Sequence, residues 1–306
     1  MSNQTPVQKI GIIGGSGLYD MPDLQKIDVI EIKTPFGNPS APIVHGTLPN
    51  STAELFFLPR HGKGHALNPS EVPYRANIYA LKSLGVDWIV SVSAVGSLQE
   101  NIPPKDMVLI DQFIDRTKSN RDCTFFEDGI VAHVAFGDPI CEVLRQYLLD
   151  AAKEATEQDN LSHADSPRAV HDGGTYVCME GPAFSTRAES NLYRSWGAQV
   201  IGMTNLTEAK LAREAEISYA TIAMSTDYDC WHTDHDDVTV DAVIAIMQSN
   251  VALAQQIIRS AVPKIAAHKN TPPYAESLKF AFITNPAQIK PEAIDRLSPI
   301  VGKYFK

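Results

Sequence analysis

The chain has 306 residues, 44% of them apolar and 20% charged, and a net charge of −10. That length suits one large α/β domain or two small ones, with a sizeable buried core. An acidic balance with no Lys/Arg cluster argues against nucleic acid as a partner, and no run approaches the ~20 apolar residues of a membrane span. Cys123, Cys141, Cys178 and Cys230 form no CxxC pair and read as reduced thiols. Met1 to Pro6 lack the charged-then-apolar layout of a signal peptide. The expectation is a cytoplasmic protein without membrane association.

In chain order, the pattern predicts a strand over 9–13, then a tight turn, Gly14-Gly15-Ser16-Gly17. A second strand over 55–58 ends in Pro59-Arg60-His61-Gly62. Helical spacing of Ile78, Leu81 and Leu84 predicts a helix over 72–84, stopped by Gly85. Strands follow over 88–92, with Ser93-Ala94-Val95-Gly96 at the end, and over 107–110, with Asp115-Arg116-Thr117 beyond. A helix over 139–153 leads to a polar surface connection over 154–168. A strand over 174–179 runs into Glu180-Gly181-Pro182, and Ser185 or Thr186 caps a helix over 187–196. A strand over 199–203 follows, and Thr204 caps the next helix, through Arg213. An apolar run over 217–224 reads as a buried strand ending near Asp227-Tyr228-Asp229, and a long helix covers 241–266. The alternation predicts a single α/β domain around a central mixed sheet flanked by helices, over 1–266. Pro272, Pro273, Pro286, Pro291 and Pro299 punctuate a tail over 267–306 that packs on the domain or on a neighbouring subunit.

In open α/β sheets ligands sit beyond the carboxyl ends of strands. Ser16, Arg60, His61, Ser93, Ala94 and Thr204 gather at such ends, and together they favour one oxyanion site. Singly each has a blander reading: an N-cap serine, a surface ion pair, a strand-end hydroxyl. Asp227 and Asp229 suit a nitrogen-rich ring, one carboxyl giving a proton to a ring nitrogen and the other accepting from an exocyclic amine. As plain loop aspartates they would need no ligand. The large Tyr228 and Trp231 beside them would form an apolar wall that raises an aspartate pKa. The first turn is not GxGxxG, no Walker lysine follows it, and GxSxG is absent, which speaks against a dinucleotide oxidoreductase and a serine hydrolase. The run from His232 to Asp237 has metal-ligand types without metal-site spacing and reads as a solvated acidic loop.

The segments GIIGGSGL (11–18), TPFGNPS (34–40), RHGKGH (60–65), DQFIDRT (111–117), EGPAFSTRAES (180–190), IGMTN (201–205) and STDYDCW (225–231) occur in this order. Together they resemble the trimeric purine nucleoside phosphorylase family, in particular its methylthioadenosine phosphorylase branch. The resemblance implies a homotrimer and phosphorolysis with inorganic phosphate as co-substrate, without cofactor or metal. It places phosphate on Ser16, Arg60, His61, Ser93, Ala94 and Thr204, and the ribose on Met203. It sets Phe184 and Ser185 beside the purine, and Asp227 and Asp229 on its N7 and 6-amino edge. Val240, Val243 and Pro69 fall in an apolar methylthio pocket, which His133 closes from the neighbouring subunit. The nearest rival is a 6-oxopurine or methylthioinosine phosphorylase of the same fold. A nucleosidase using water and a non-catalytic nucleoside binder stand further off.

Overall fold

The central apolar runs become the middle of one sheet because each is flanked on both sides by others like it. The computed structural model describes residues 7–118, 121–232 and 240–305, with the side chains of Ser16, Tyr19 and residues 240–244 outside that description. Among the described residues, eleven strands form one mixed sheet. They are β1 (Lys9–Gly14), β2 (Gln25–Ile30), β3 (Ile43–Thr47), β4 (Glu54–Pro59), β5 (Trp88–Ser97), β6 (Met107–Leu109), β7 (Gln112–Arg116), β8 (Val170–Asp172), β9 (Thr175–Met179), β10 (Val200–Gly202) and β11 (Ser218–Tyr228). Their order is β2-β3-β4-β1-β5-β10-β9-β7, while β11 pairs with β5 and with β6, and β6 with β8. Strands β4, β1, β5 and β11 run parallel, so their carboxyl ends open on the same edge.

Seven helices accompany the sheet among the described residues: α1 (Tyr74–Ser83), α2 (Glu142–Ser162), α3 (Arg187–Ser195), α4 (Asn205–Glu214), α5 (Val240–Ala266), α6 (Pro291–Arg296) and α7 (Ser298–Val301). Helices α2 and α5 pack on each other and on β11, and α1 packs on α4 and α7. Thr186 starts α3 with a capping box: its Oγ1 accepts from Glu189 N at 3.2 Å, and Glu189 Oε2 accepts from Thr186 N at 2.8 Å. Thr204 occupies the equivalent position of α4, yet its hydroxyl makes no cap bond, contrary to the sequence expectation.

Several elements differ from the sequence reading. Strand β5 does not stop at Val92. Ser93 to Ser97 stay extended because β11 pairs along them and β10 pairs with Gly96 and Ser97, so pairing outweighs weak strand formers. Helix α2 continues to Ser162, into the stretch read as a surface connection, because Lys153, Glu154, Glu157 and Gln158 are good helix formers whatever their polarity. Strands β2, β3 and β7 carry no strong apolar run, and β2 is almost wholly exposed.

The tail joins the main core. Leu278, Leu297, Ile300 and Val301 are at most 1% exposed and belong to the same apolar cluster as Ile10, Trp88 and Ile222. Each such side chain contributes roughly 1.5–3 kcal/mol by leaving water. No helix among the described residues is long and apolar enough to cross a membrane.

Candidate active site

One cleft of about 380 Å³ opens at the shared carboxyl edge. Gly14 and Gly15 after β1, Arg60 and His61 after β4, Val92 to Gly96 along β5, and Met203 and Thr204 before α4 line it. Met224, Thr226, Asp227 and Asp229 from β11 complete one wall. Side chains of a strand alternate between faces, so Thr226 and Asp227 should point apart. The ladder with β5 pairs Ser225 with Val95 and Asp227 with Gly96, leaving Thr226 as an extra residue. This bulge lets Asp227 and Asp229 face the same cleft as Met224. Gly96 makes room for them: a Cβ there would lie 3.3 Å from Asp227 Oδ1 and 3.5 Å from Asp229 Cβ.

At the anion end, Arg60 is buried and bonded inward. Its Nε lies 2.5 Å from Glu208 Oε1 and its Nη2 3.1 Å from Glu208 Oε2. Nη2 also donates to Ser91 Oγ at 2.6 Å, and Nη1 to the Val92 carbonyl at 3.0 Å. Burial pulls the guanidinium pKa down, and the Glu208 charge and hydrogen bonds more than restore it, so it ends above its ordinary value. His61 Nδ1 lies 2.8 Å from the Leu67 carbonyl, which can only accept, so Nδ1 carries the proton. Burial and then the Arg60 charge lower His61 to about 4, which keeps the ring neutral. Its Nε2 is therefore an acceptor.

The base end is less complete. Thr226 Oγ1 donates to Asp227 Oδ2 at 2.6 Å. Asp229 Oδ2 is buried and has no hydrogen-bond partner among the described residues. Burial raises the Asp227 pKa, the Thr226 hydrogen bond pulls it back, and the Asp229 charge pushes it further up. Burial also raises Asp229. The expected aromatic wall is elsewhere: Tyr228 and Trp231 are not lining residues, and Trp231 packs with Leu98, Val177 and Ile201 in a separate small cluster. Gly96 lies against both aspartates instead, and Ile201 and Met203 line the same cleft.

The structure thus brings Arg60, His61, Ser93, Ala94, Met203, Thr204, Phe184, Pro69, Asp227 and Asp229 into one cleft. It does not bring Ser185, whose Oγ lies 3.4 Å from Met179 Sδ, nor the exposed His133, whose backbone N–H binds the Ala281 carbonyl. The side chains of Ser16, Val240 and Val243 lie outside the described residues, as do residues 233–237 of the acidic run. Among the described residues no cluster of His, Cys, Asp and Glu is arranged to hold a metal ion.

Residues 9–263 match the profile of the phosphorylase superfamily. The chain belongs to that superfamily. It is 57% identical to an S-methyl-5′-thioadenosine phosphorylase of Geobacter sulfurreducens, over 97% of this chain and 99% of that one. Its fold superposes with a TM-score of 0.89 on the crystal structure of a methylthioadenosine phosphorylase from an antarctic soil metagenomic library, at 49% identity, covering 96% of this chain and 99% of the other. A mutant adenosine/methylthioadenosine phosphorylase from Schistosoma mansoni, solved with methylthioadenosine, superposes at 0.76 with 40% identity, covering 85% of this chain and 93% of that one.

Two buried charges of this phosphorylase escape a reading by motif. Glu208 looks like an ordinary acidic residue in the first turn of a helix. Arg121 follows no recognisable pattern, yet it ties three cleft walls together. Its Nη1 donates to the Met203 carbonyl, its Nη2 to the Glu180 carbonyl, and its Nε to Glu180 Oε1 at 3.1 Å. Glu180 in turn accepts from Ser70 Oγ, beside the lining residue Pro69. Gly181 next to it has φ +68°, and a Cβ there would strike Met203 Sδ at 2.5 Å. Met203 is thus located from both its carbonyl and its side chain.

Proposed function

We propose that this chain phosphorolyses 5′-methylthioadenosine, releasing adenine and 5-methylthioribose 1-phosphate. The observation that carries the reading is a single cleft with a donor-lined end at Arg60 and Ser93 and, opposite, a pair of buried carboxyls with an unfilled acceptor at Asp229. The names of its close relatives point to the same substrate. Inorganic phosphate is the co-substrate, and neither cofactor nor metal takes part.

In this mechanism the glycosidic bond stretches first and leaves positive charge on the ribose, which rests on Met203. Phosphate, held by Ser16, Arg60, His61, Ser93, Ala94 and Thr204, stabilises that charge and bonds to C1′. Asp227, whose hold on a proton is strengthened by burial, gives its proton to N7, so adenine leaves neutral. Asp229 accepts from the 6-amino group; a 6-oxo base would set two acceptors against each other. Phe184 flanks the purine, with Ser185 just outside the cleft lining against Met179. Pro69, Val240 and Val243 receive the methylthio group, and Met247 and Val251, four residues apart on α5, extend that apolar lining.

A homotrimer in the cytoplasm completes the proposal, with residues 1–266 as the catalytic unit and 267–306 as a tail packed on it. A single chain leaves Val131, Phe280 and Ile283 exposed by 44%, 92% and 64%, beside His133. A neighbouring subunit would cover such residues and bring His133 to an adjoining cleft. The test is adenine release from methylthioadenosine with and without phosphate, with inosine as the contrasting base. Release without phosphate would make the enzyme a nucleosidase, and preference for inosine would make it a 6-oxopurine phosphorylase.

A further inference from the structure

We propose that Glu208 is a positioning residue that cancels the charge of Arg60, so that phosphate meets neutral donors and keeps its own negative charge for the ribosyl cation. The inference rests on the reading that phosphate occupies the Arg60 end of the cleft.

Both partners are almost completely withdrawn from water, with side chains 4% and 3% exposed. Their contact is two-pronged, Nε to Oε1 and Nη2 to Oε2. Oε2 also accepts from Ser91 Oγ and from Tyr219 Oη, each at 2.9 Å. Asn205 Nδ2 lies within 3.1 Å of Ser91 Oγ, Tyr219 Oη and Thr221 Oγ1, which fixes those donors in turn. A guanidinium has five N–H donors. Four are directed at Glu208, Ser91 and the Val92 carbonyl, which leaves one on Nη1 for a ligand.

Among the described residues lining the cleft, Arg60 is the one permanent cation. The remaining titratable lining groups are His61, His65, Asp227 and Asp229. His61 directs its only proton to the Leu67 carbonyl and stacks on His65 at 4.2 Å. The anion end is therefore built from dipoles, hydroxyls and a neutralised ion pair.

The arrangement has a catalytic logic. A bare guanidinium would grip the phosphate dianion more tightly before the reaction than at its peak, where that negative charge is shared with the ribosyl cation, and such binding lowers KM and kcat together. A masked one holds the anion in place by geometry and leaves its charge to act where positive charge develops.

The decisive variant is Glu208→Gln, which keeps shape and removes the masking charge. It should lower both the phosphate KM and the inhibition constant of sulfate by about fivefold or more, lower kcat by about tenfold, and leave the methylthioadenosine KM within about twofold. Glu208→Asp keeps the charge and should retain phosphate and sulfate affinities close to those of the parent enzyme. Weaker phosphate binding in Glu208→Gln overturns the proposal, because Glu208 would then only hold the shape of the site. Should that variant not fold, Tyr219→Phe removes one neutral donor from Oε2 and returns that charge to Arg60. It should raise the phosphate KM by about two- to threefold with the nucleoside KM unchanged. An unchanged or lower phosphate KM there also overturns the proposal. Ser93→Ala is the control for the site itself. A phosphate KM unmoved by it would remove phosphate from this end of the cleft, and the charge-masking inference with it.

Discussion

At one end of the cleft, four of the five N–H donors of Arg60 are bonded to protein, whereas at the other a buried oxygen of Asp229 has no partner among the described residues. The anion end is set before any ligand arrives: its groups are cross-braced by Glu208, Ser91, Tyr219 and Asn205. The base end holds a buried Asp229 oxygen without a hydrogen-bond partner among the described residues, at a cost of roughly 1–3 kcal/mol while it waits. Placement without ligand is thus the work of one end, and discrimination between ligands the work of the other.

The most forceful way to break this division is Asp227→Asn. It removes the proton donor but keeps the shape, so single-turnover release of adenine should slow by about 10²–10⁴-fold. A rate near that of the parent enzyme would leave the base end without its acid. Asp229→Asn should instead alter choice. The ratio of kcat/KM for methylthioadenosine over methylthioinosine should fall by about 10–100-fold, the equivalent of one mispaired buried group. Retention of the parent ratio would mean that Asp229 does not read the 6-position.

Arg121→Lys sharpens the comparison from outside the cleft. Lysine cannot reproduce a planar fork that holds Glu180 and Met203 together. Nucleoside kcat/KM should drop by about tenfold while the phosphate KM stays near its parent value. Equal losses on both substrates would show general loosening instead.

The smallest effect concerns pH. His61 is neutral down to about 4, so kcat with both substrates saturating should show no inflection at the ordinary histidine value of 6.5. Asp227 holds its proton above the usual carboxylate range, so the active form is lost as pH rises through that raised value, and kcat should decline on the alkaline side. An inflection near 6.5 that vanishes in His61→Asn would overturn the neutral assignment.

Much of the cleft was legible in the sequence because its ligand-facing groups sit at the ends of apolar runs. Arg60, His61, Asp227 and Asp229 could be picked out that way. The groups behind them could not. Glu208 stands 148 positions from Arg60, and Arg121 stands 82 positions from Met203, so nothing in the local sequence marks either as buried. The fold followed the same rule. The buried strands β1, β4 and β11 announced themselves, while the exposed β2 and the far half of β5 depend on partners that local preference does not encode. Ser185 and His133 came from resemblance alone, and neither lines the cleft of the single chain.

The extra residue at Thr226 has a practical consequence for anyone altering base preference. Were Thr226 kept but the irregularity smoothed into plain alternation, both carboxylates would turn into the opposite layer, since every one-residue slip reverses a strand's faces. Excising Thr226 would close the ladder with the two still pointing inward, short of one hydroxyl. Libraries that vary side chains at 227 and 229 should therefore keep the irregularity at 226, or remove that one residue outright.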